Sequence, residues 1–443
     1  MMRTLVFTIC ARNYVGLARV LGRSLARYGV QVDFRIYVAE GVDEGTGLPP
    51  EDPALVSAPD ALAAIIPPDD YANMAFMYNV TEFCTALKAA CFKHGFADGY
   101  DVCLYMDPDI FLAGDVDQIT SAFGDAAILM TPHLCLPAQG EGPRPDHGIL
   151  ATGIYNLGFL GLRRHRETAR FLDWWDTRLR AQAFNDHYHS LYTDQRWMDF
   201  VPALFDAEAV RVWRHLGCNL APWNYHERRV VADGNGYSVY PRVNAHAGAS
   251  HAGDPLIFLH FSGFDFRQIV DGQFEQRNLA DSETHDDLLP LYAAYGDAIR
   301  AEAGEMKRYL AQPYGFDCFA DGTKILPSHR RLFRIWRERH GNAADPFAVG
   351  QGSFHDALGA RNLLGGNADG DLLAEKATAR SVANPERLMG QARHVFRLMF
   401  RVLGRSRFLF LMRSLNRFTR VEQQYDTFRL DDVAVARAQA PTG

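Results

Sequence analysis

Two aspartates separated by one proline follow an apolar run in the segment DVCLYMDPDIFLAGD, which spans residues 101–115. The runs VCLYM and IFL on either side have the character of buried strands, so Asp107 and Asp109 lie where a strand ends. Burying two carboxylates is costly unless a cation or hydrogen-bond donors neutralise them. Two oxygen donors one residue apart suit Mg²⁺ or Mn²⁺, and such an ion can hold a nucleotide diphosphate. The alternative is a solvated turn, in which Asp and Pro are common.

The composition is that of an ordinary globular protein. The 443 residues are 48% hydrophobic and 22% charged, which is enough for one large α/β domain with an appendage or for two domains. A net charge of −7 argues against a nucleic-acid binder. The seven cysteines form no CxxC pair and favour a reducing compartment, and the apolar N-terminal run is too short for a signal segment. We therefore expect a cytoplasmic protein.

The order of the predicted elements indicates a doubly wound α/β sheet. A buried strand at Leu5–Ile9, a helix from Val15 to Tyr28 and a strand at Val32–Val38 form a β–α–β opening. Ligands of such sheets bind at the carboxyl ends of strands, which is where Asp107 and Asp109 lie. Further elements are predicted as helices at 79–94 and 166–180 and as strands at 126–130, 154–162 and 256–260.

Other segments are predicted to lack regular structure or to be helical. Residues 41–70 indicate an irregular connection, and 134–148 have the length and the Pro and Gly content of a mobile active-site loop. After Gly263 the pattern becomes helical.

Four motifs downstream of the DxD pair occur in an order that resembles a known enzyme family. They are IYNLGFLGLRR (154–164), LYTDQRWMDFVPALF (191–205), GCNLAPWNYHER (217–228) and IFLHFSGF (257–264). Over roughly residues 4–265 the chain resembles the family-8 glycosyltransferases, retaining GT-A enzymes that include glycogenin and bacterial lipopolysaccharide galactosyltransferases. It is more similar still to bacterial glycosyltransferase-like proteins that have an HFSGF motif and a Lys in the helix before DxD. The resemblance implies a GT-A fold, a nucleotide-sugar donor and transfer with retention.

The resemblance also implies the metal ligands. In the family, the DxD pair and a distant His bind one Mn²⁺, and the matching residues are Asp107, Asp109 and His260. His260 ends an apolar strand, and imidazole with carboxylates suits Mn²⁺ better than Mg²⁺. From the residues alone, a hydrogen-bonded structural histidine is the more common interpretation of a lone histidine at a strand end such as His260.

Three polar residues match family positions around the donor sugar. Asn156 matches an Asn on the strand that lines the sugar, and its amide can donate to and accept from hydroxyls. Asp194 and Gln195 match the family's Asp-Gln pair, in which the Asp binds sugar hydroxyls and the Gln lies near the anomeric carbon. From the residues alone, Asn156 also fits the cap of a turn, and Asp194 and Gln195 fit the first turn of a helix after Thr193.

The remaining donor contacts implied by the resemblance come from two segments. The segment after the first strand contacts the base and ribose through Cys10, Ala11, Asn13 and Tyr14, with Tyr14 able to stack on the base. Lys88, in the helix before DxD, is placed to meet phosphate charge together with Asp107, although a surface lysine is the plainer reading.

The chain departs from the family at two places. Ala11 and Arg12 replace the usual acidic residues after the first strand, which leaves the base open with UDP favoured. The family's GxxKPW continuation after the histidine is absent, so Lys88 or Arg267 has to replace its lysine.

A basic and apolar segment follows in the C-terminal region. From Leu388 to Arg420 there are eight Arg and no Asp, Glu or Lys, and removing these charges from the net charge of −7 leaves −15 on the rest. Within 393–418, four arginines are spaced four apart, as on one stripe of a helix: Arg393, Arg397, Arg401 and Arg405. This pattern fits an interfacial helix on an anionic membrane, or an amphipathic helix packed on protein.

The sequence therefore predicts a metal-dependent hexosyltransferase that transfers a sugar from a nucleotide-diphosphate donor to a glycan or lipid-linked acceptor in surface polysaccharide synthesis. The alternatives are a silent GT-A-like domain that binds a nucleotide sugar or a partner, and a phosphotransferase with an Asp nucleophile, which the Phe at position 111 disfavours. The predicted domains are a GT-A domain (1–265), a helical extension packed on it (266–350), a flexible connection (351–380) and a basic helical tail (381–443).

Overall fold

A computed structural model describes residues 2–28, 32–43, 47–49, 51–137, 145–234, 236–242, 253–271, 273, 285–365, 385–417 and 419–432. In this part of the chain the strands are β1 Thr4–Cys10, β2 Asp33–Val38, β3 Leu55–Ser57, β4 Val102–Met106, β5 Ile110–Leu112, β6 Ile128–Pro132, β7 Tyr155–Arg163, β8 Asn185–Asp186, β9 Leu191–Tyr192, β10 Val210–Val212, β11 Arg228–Asp233, β12 Gly236–Pro241, β13 Asp254–Pro255 and β14 Phe258–His260. The α-helices are α1 Val15–Tyr28, α2 Ala58–Ala61, α3 Pro68–Met77, α4 Val80–Ala86, α5 Lys88–Ala97, α6 Asp117–Ala122, α7 Pro145–Thr152, α8 Arg166–Gln182, α9 Val201–Leu204, α10 Phe266–Val270, α11 Leu289–Ala301, α12 Ala303–Leu310, α13 Pro327–His340, α14 Phe354–Gly359, α15 Pro385–Arg417 and α16 Tyr425–Phe428.

Seven strands form a mixed central sheet in the order β10-β6-β7-β4-β1-β2-β3. All neighbours pair in parallel except β7, which is antiparallel to β4 and β6. The continuous apolar runs of β1, β4 and β6 are buried at every position, as expected for strands covered on both faces. The predicted α/β class with a doubly wound mixed sheet is confirmed, and so is the mostly helical C-terminal region.

Most predicted elements are present, and three predictions are wrong. The helix predicted at 79–94 is divided into α4 and α5, with Leu87 between them. The irregular connection 41–70 contains β3 and α2 and the start of α3. The predicted loop 134–148 ends early, because α7 begins at Pro145; residues 138–144 lie outside the described part.

The chain forms two compact units. The first comprises Met1–Pro67 and Val80–Tyr314, and the second comprises Pro68–Asn79 and Gly315–Gly443. In the first unit, α11 and α12 pack against α1, and α10 packs against α11. In the second unit, the ring of Phe76 on α3 contacts Phe333 on α13 and Phe354 on α14. Residues 366–380 of the predicted connection lie outside the described part, and the predicted domain boundaries stay predictions.

In the second unit, the buried Arg330 organises the contact between α3 and α13. Its guanidinium donates hydrogen bonds to the carbonyl oxygens of Ala75, Phe76 and Tyr78 and pairs with Asp317 at 2.9 Å. The carbonyls of Ala75 and Phe76 lie in the last turn of α3 and that of Tyr78 directly follows it, where backbone acceptors lack partners within the helix. Arg330 therefore satisfies the end of one helix from the side of another.

In the first unit, a close backbone contact fixes the segment that leads into β14. The carbonyl oxygen of Gly217 accepts hydrogen bonds from the backbone of Ile257 at 2.8 Å and of Phe258 at 3.3 Å. A Cβ atom at position 217 would lie 1.9 Å from the carbonyl oxygen of Pro255. Only glycine allows this approach, and β14 carries His260 two residues further on.

We predict that Gly217→Ala lowers the free energy of unfolding by about 2 kcal/mol, because the new methyl group forces two backbone segments apart. The measurement is urea denaturation followed by circular dichroism. The matched control is Gly148→Ala in α7, where a Cβ meets no atom within 4 Å and should be neutral or slightly stabilising. Equal stability of the two variants would contradict the prediction.

Candidate active site

Two short strands bring the DxD pair and His260 together. Asp107 follows β4, Asp109 precedes β5, and β14 pairs antiparallel with β5 so that His260 lies opposite Ile110. The Nε2 atom of His260 is 3.1 Å from Oδ1 of Asp109 and 3.6 Å from Oδ2 of Asp107. One ligand atom of each residue lies within 4.8 Å of the others, which is the spacing of a divalent metal site.

Hydrogen bonds on the other side of the imidazole fix the orientation of His260. Its Nδ1 lies 3.2 Å from the amide oxygens of both Asn156 and Asn219. The oxygen of Asn156 also accepts from the backbone N–H of Gly158 and from the side-chain NH₂ of Asn219, so its identity as an acceptor follows from its partners. Nδ1 therefore carries the proton, and Nε2 presents either a lone pair or a second proton to the two carboxylates.

The charges at this point fit a bound cation. Burial lowers the pKa of His260, but the carboxylates of Asp109 and Asp107 outweigh burial and raise the pKa above its ordinary value. Oδ1 of Asp109 is buried, and the atom that faces it at 3.1 Å is Nε2 of His260. An imidazole whose Nδ1 is held by hydrogen bonds and two carboxylates are a suitable donor set for Mn²⁺ or Mg²⁺.

Gly158 makes room for this arrangement. A Cβ at position 158 would lie 2.2 Å from Cε1 and 2.6 Å from Nδ1 of His260. The carbonyl oxygen of Gly158 accepts from the backbone N–H of Asp107 at 2.8 Å. Because Gly158 has no side chain, His260 can lie against β7, and the same glycine holds the backbone of Asp107.

Asn156 and Gln195 join β7 to neighbouring segments. The NH₂ group of Asn156 lies 3.3 Å from Oε1 of Gln195 and 3.3 Å from Nε2 of His133. Gln195 also accepts from the backbone N–H of Leu157 at 3.0 Å and donates to the carbonyl of Thr152 at 2.9 Å. Both amides are buried, so their polar groups serve one another and the backbone.

Lys88 and Asp194 form a fully buried ion pair beneath the DxD pair. Nζ of Lys88 is 2.8 Å from Oδ2 of Asp194 and 3.8 Å from Oδ1 of Asp107, and it donates to the carbonyl of Leu157 at 2.7 Å. It also lies 4.1 Å from the ring centroid of Tyr105, whose hydroxyl donates to Asp107. Burial raises the pKa of Asp194, and the Lys88 ammonium opposes that rise. The reading of Lys88 as a surface lysine is wrong.

The predicted base-binding segment lies at the same edge of the sheet. Because β1 runs parallel to β4, Cys10 at the end of β1 and Asp107 after β4 lie at the same edge of the sheet. Oδ1 of Asn13 is buried without a hydrogen-bond partner among the described residues, and Tyr14 is 38% exposed with its ring 5.0 Å from that of Phe266. Ala11 is buried at the start of the segment.

Arg12 does not point freely into this edge. Its backbone N–H donates to the buried carboxylate of Glu40 at 2.8 Å, and its guanidinium donates to the carbonyl of Pro313. A carboxylate after β2 thus lies beside the segment in which positions 11 and 12 carry no acid.

Sequence reasoning missed three residues of the site. Asn219 holds His260, and His133 is a buried neighbour of Asn156. Trp223 lies between the two histidines, with its ring centroid 5.2 Å from each, and its indole N–H is buried without a hydrogen-bond partner among the described residues. Asn219 and Trp223 belong to the GCNLAPWNYHER motif, which the sequence analysis identified without assigning a role to either residue.

No protein-family model matches the chain. Two proteins of Bacillus subtilis (strain 168) are similar in sequence. Uncharacterized protein YfnD is 29% identical over 256 residues, which are 56% of this chain and 71% of YfnD. Uncharacterized protein YfnF is 27% identical over 161 residues, which are 36% of this chain and 48% of YfnF.

Solved structures of glycosyltransferases are similar at low level. Galactosyltransferase LgtC with donor and acceptor sugar analogs is 14% identical, covering 67% of this chain and 95% of LgtC, with a TM-score of 0.36. Mouse xyloside xylosyltransferase 1 is 13% identical, covering 59% and 97%, with a TM-score of 0.34. Glycosyltransferase GlyE of Streptococcus pneumoniae TIGR4 is 13% identical, covering 72% and 67%, with a TM-score of 0.31. Similarity of this size does not show to which family the chain belongs.

We predict that Lys88→Met lowers the free energy of unfolding by about 3–5 kcal/mol, because it leaves Asp194 buried without its cation. Adding Asp194→Asn should restore a large part of the loss, since the amide keeps the shape and removes the charge. Urea denaturation of both single variants and the double variant measures the coupling. An unchanged stability of Lys88→Met would show that the pair is not needed for folding.

A second prediction concerns pH. Burial lowers the pKa of His133 from 6.5 to about 4. Between pH 6.5 and pH 4, His133 is therefore protonated in the unfolded chain but neutral in the folded chain. The free energy of unfolding consequently falls as the pH drops from 7.5 to 4. The loss from this residue should be about 3 kcal/mol. Urea denaturation across this range should show a weaker pH dependence for His133→Asn than for the wild type, and identical profiles would refute the assignment.

Proposed function

We propose that this protein is a metal-dependent glycosyltransferase of the GT-A type that uses a nucleotide-diphosphate sugar, with UDP as the favoured nucleotide. The observation that supports this most is the convergence of Asp107, Asp109 and His260 at the carboxyl edge of the central sheet. At this edge, ligands of α/β proteins bind. The acceptor is a glycan or a lipid-linked glycan of surface polysaccharide synthesis, and transfer proceeds with retention. The sugar is a hexose, and residues 1–265 form the proposed GT-A domain.

The proposed roles follow from position. A divalent ion held by Asp107, Asp109 and His260 would supply positive charge that stabilises a departing diphosphate. Asn156 and Asn219 keep His260 in the tautomer that can bind a metal. Cys10, Ala11, Asn13 and Tyr14 form the base and ribose side, where the exposed Tyr14 ring is available for stacking. Asn156, Asp194 and Gln195 are assigned to the donor sugar.

The sequence leaves the phosphate contact open between Lys88 and Arg267. Lys88 is buried and engaged with Asp194 and Leu157, so its charge reaches a ligand only through Asp107. Arg267 on α10 is exposed and lies three residues after the HFSGF motif. We therefore assign the direct phosphate contact to Arg267 and a supporting role to Lys88.

One observation favours the second candidate, a GT-A-like domain that binds a nucleotide sugar without transferring it. Asp194 and Gln195 are buried; Asp194 pairs with Lys88, the Gln195 amide oxygen accepts from Leu157 and Asn156, and the Gln195 NH₂ group donates to the carbonyl of Thr152. A sugar would have to displace some of these contacts to bind either side chain. Nucleotide binding and turnover must therefore be measured separately.

No helix in the described part of the chain combines the length and apolar character that a membrane-spanning helix needs. We propose a cytoplasmic location with peripheral contact to the membrane through residues 393–418.

We predict Mn²⁺-dependent binding of UDP by isothermal titration calorimetry. Asp109→Asn should weaken it at least about 100-fold, because it removes one metal ligand charge. The matched control is Asp115→Asn, which removes an exposed acid six residues away whose carboxylate accepts a hydrogen bond from the backbone N–H of Asp117 in α6.

Hydrolysis of UDP-sugars is then measured under the same conditions. Binding with turnover supports the transferase, and binding without turnover of any nucleotide sugar tried, with or without acceptor, supports the silent domain. Absence of binding by every nucleoside diphosphate with Mn²⁺ and Mg²⁺ would refute both.

A further inference from the structure

Among the described side chains of α15, from Gly390 to Leu415, none is buried. Its apolar side chains are exposed to an unusual degree, with Val402 at 75%, Phe410 at 73% and Leu398 at 63%. Contiguous apolar surface of this kind marks interaction sites on soluble proteins. The other exposed apolar side chains of the helix are Val395, Phe396, Phe400, Leu409 and Leu415.

A break divides the helix into two arms. Gly404 has φ 70° and ψ 171°, which lies outside helical geometry. A side chain at this φ is strained, so glycine is the residue that permits the bend. The rings of Phe400 and Phe408, one on each side of the break, are in contact at 5.4 Å. The two arms therefore have a defined bend with apolar side chains at its corner.

The charge of the helix has one sign. The described part carries six arginines and no acidic residue: Arg393, Arg397, Arg401, Arg405, Arg407 and Arg413. On the first arm, three of them are spaced four apart and form one stripe beside the apolar side chains. Arginine stems can lie along apolar surface while the guanidinium groups reach phosphate.

The chain beyond the helix is fixed to its own unit. Tyr425 and Leu430 are buried, and Arg339 on α13 pairs with Asp426 at 2.7 Å and with Asp431 at 2.6 Å. The segment that follows α15 therefore packs on the second unit. A ligand that binds α15 is thereby attached to that unit.

We infer that α15 binds the surface of an anionic lipid bilayer. The arginines meet lipid phosphates, and the apolar side chains of both arms enter the boundary between head groups and acyl chains. This inference does not depend on the proposed transferase activity.

The same features argue against two other occupants. A second copy of the helix would bring six like charges against six, which opposes association. Nucleic acid would account for the arginines, but most of the exposed apolar side chains are aliphatic. Base stacking uses aromatic rings, whereas a bilayer accommodates Val and Leu equally well.

The test is flotation of the full chain with vesicles of phosphatidylcholine alone or with one quarter phosphatidylglycerol. Binding should require the anionic lipid and weaken at 1 M salt. The triple variant Arg393→Gln, Arg397→Gln, Arg401→Gln should lower the partition coefficient about 100-fold, at roughly a factor of five per arginine. Val402→Ser with Phe410→Ser should lower it at least about tenfold, by loss of apolar insertion.

The matched control is Arg27→Gln, Arg229→Gln, Arg300→Gln, which makes the same change of net charge at exposed positions outside the helix. Retained binding of this control supports the inference, and an equal loss would overturn it. Circular dichroism and UDP titration of each variant verify folding away from the helix.

Three further results would overturn the inference. They are no preference for anionic vesicles, tighter binding to a nucleic acid of equal charge, and self-association without lipid that Val402→Ser with Phe410→Ser abolishes. Because the readout contains no nucleotide sugar, failure here leaves the proposed transferase untouched.

Discussion

The hydrogen bonds from Nδ1 of His260 to Asn156 and Asn219 determine what the candidate site can do. They direct Nε2 toward Asp107 and Asp109, and they do so from two different segments of the chain. Asn219 follows Gly217, whose carbonyl bonds the strand that carries His260, and Asn156 lies on β7 two residues before Gly158. The orientation of one imidazole thus depends on two glycines that allow close backbone approach. Backbone packing at these two glycines therefore sets the geometry of the three candidate metal ligands.

The fold was largely predictable because its strands obey simple patterns. β1 and β4 are continuous apolar runs, and α1 shows an apolar stripe at helical spacing that ends before a glycine. The errors occurred where local sequence and tertiary packing disagree. Residues 79–94 have helical character throughout, yet α4 ends at Ala86 and α5 begins at Lys88, whose ammonium contacts Asp194 and Leu157. The periodicity of apolar residues does not predict this interruption.

The site was predictable in part for a different reason. Asp107 and Asp109 are separated by one residue in the sequence, and His260 ends an apolar run, so each could be identified locally. That β5 and β14 pair and bring them together is a contact across about 150 residues, which the resemblance implied and the residues did not. His133 and Glu40 carry no local signal, because each follows a strand at the same edge and acquires its partner only from the order of the sheet.

The distribution of charge at the site favours a cation near Asp109 over one near the buried Asp194. Asp107, Asp109 and Asp194 bring three carboxylates, and Lys88 is the basic side chain between Asp194 and Asp107. Asp194 is the better neutralised of these, since the ammonium is 2.8 Å from it and 3.8 Å from Asp107. The excess negative charge therefore lies on Asp107 and Asp109, beside Nε2 of His260. A diphosphate alone would be repelled there, so an anionic donor requires a metal ion at this point or a guanidinium such as that of Arg267.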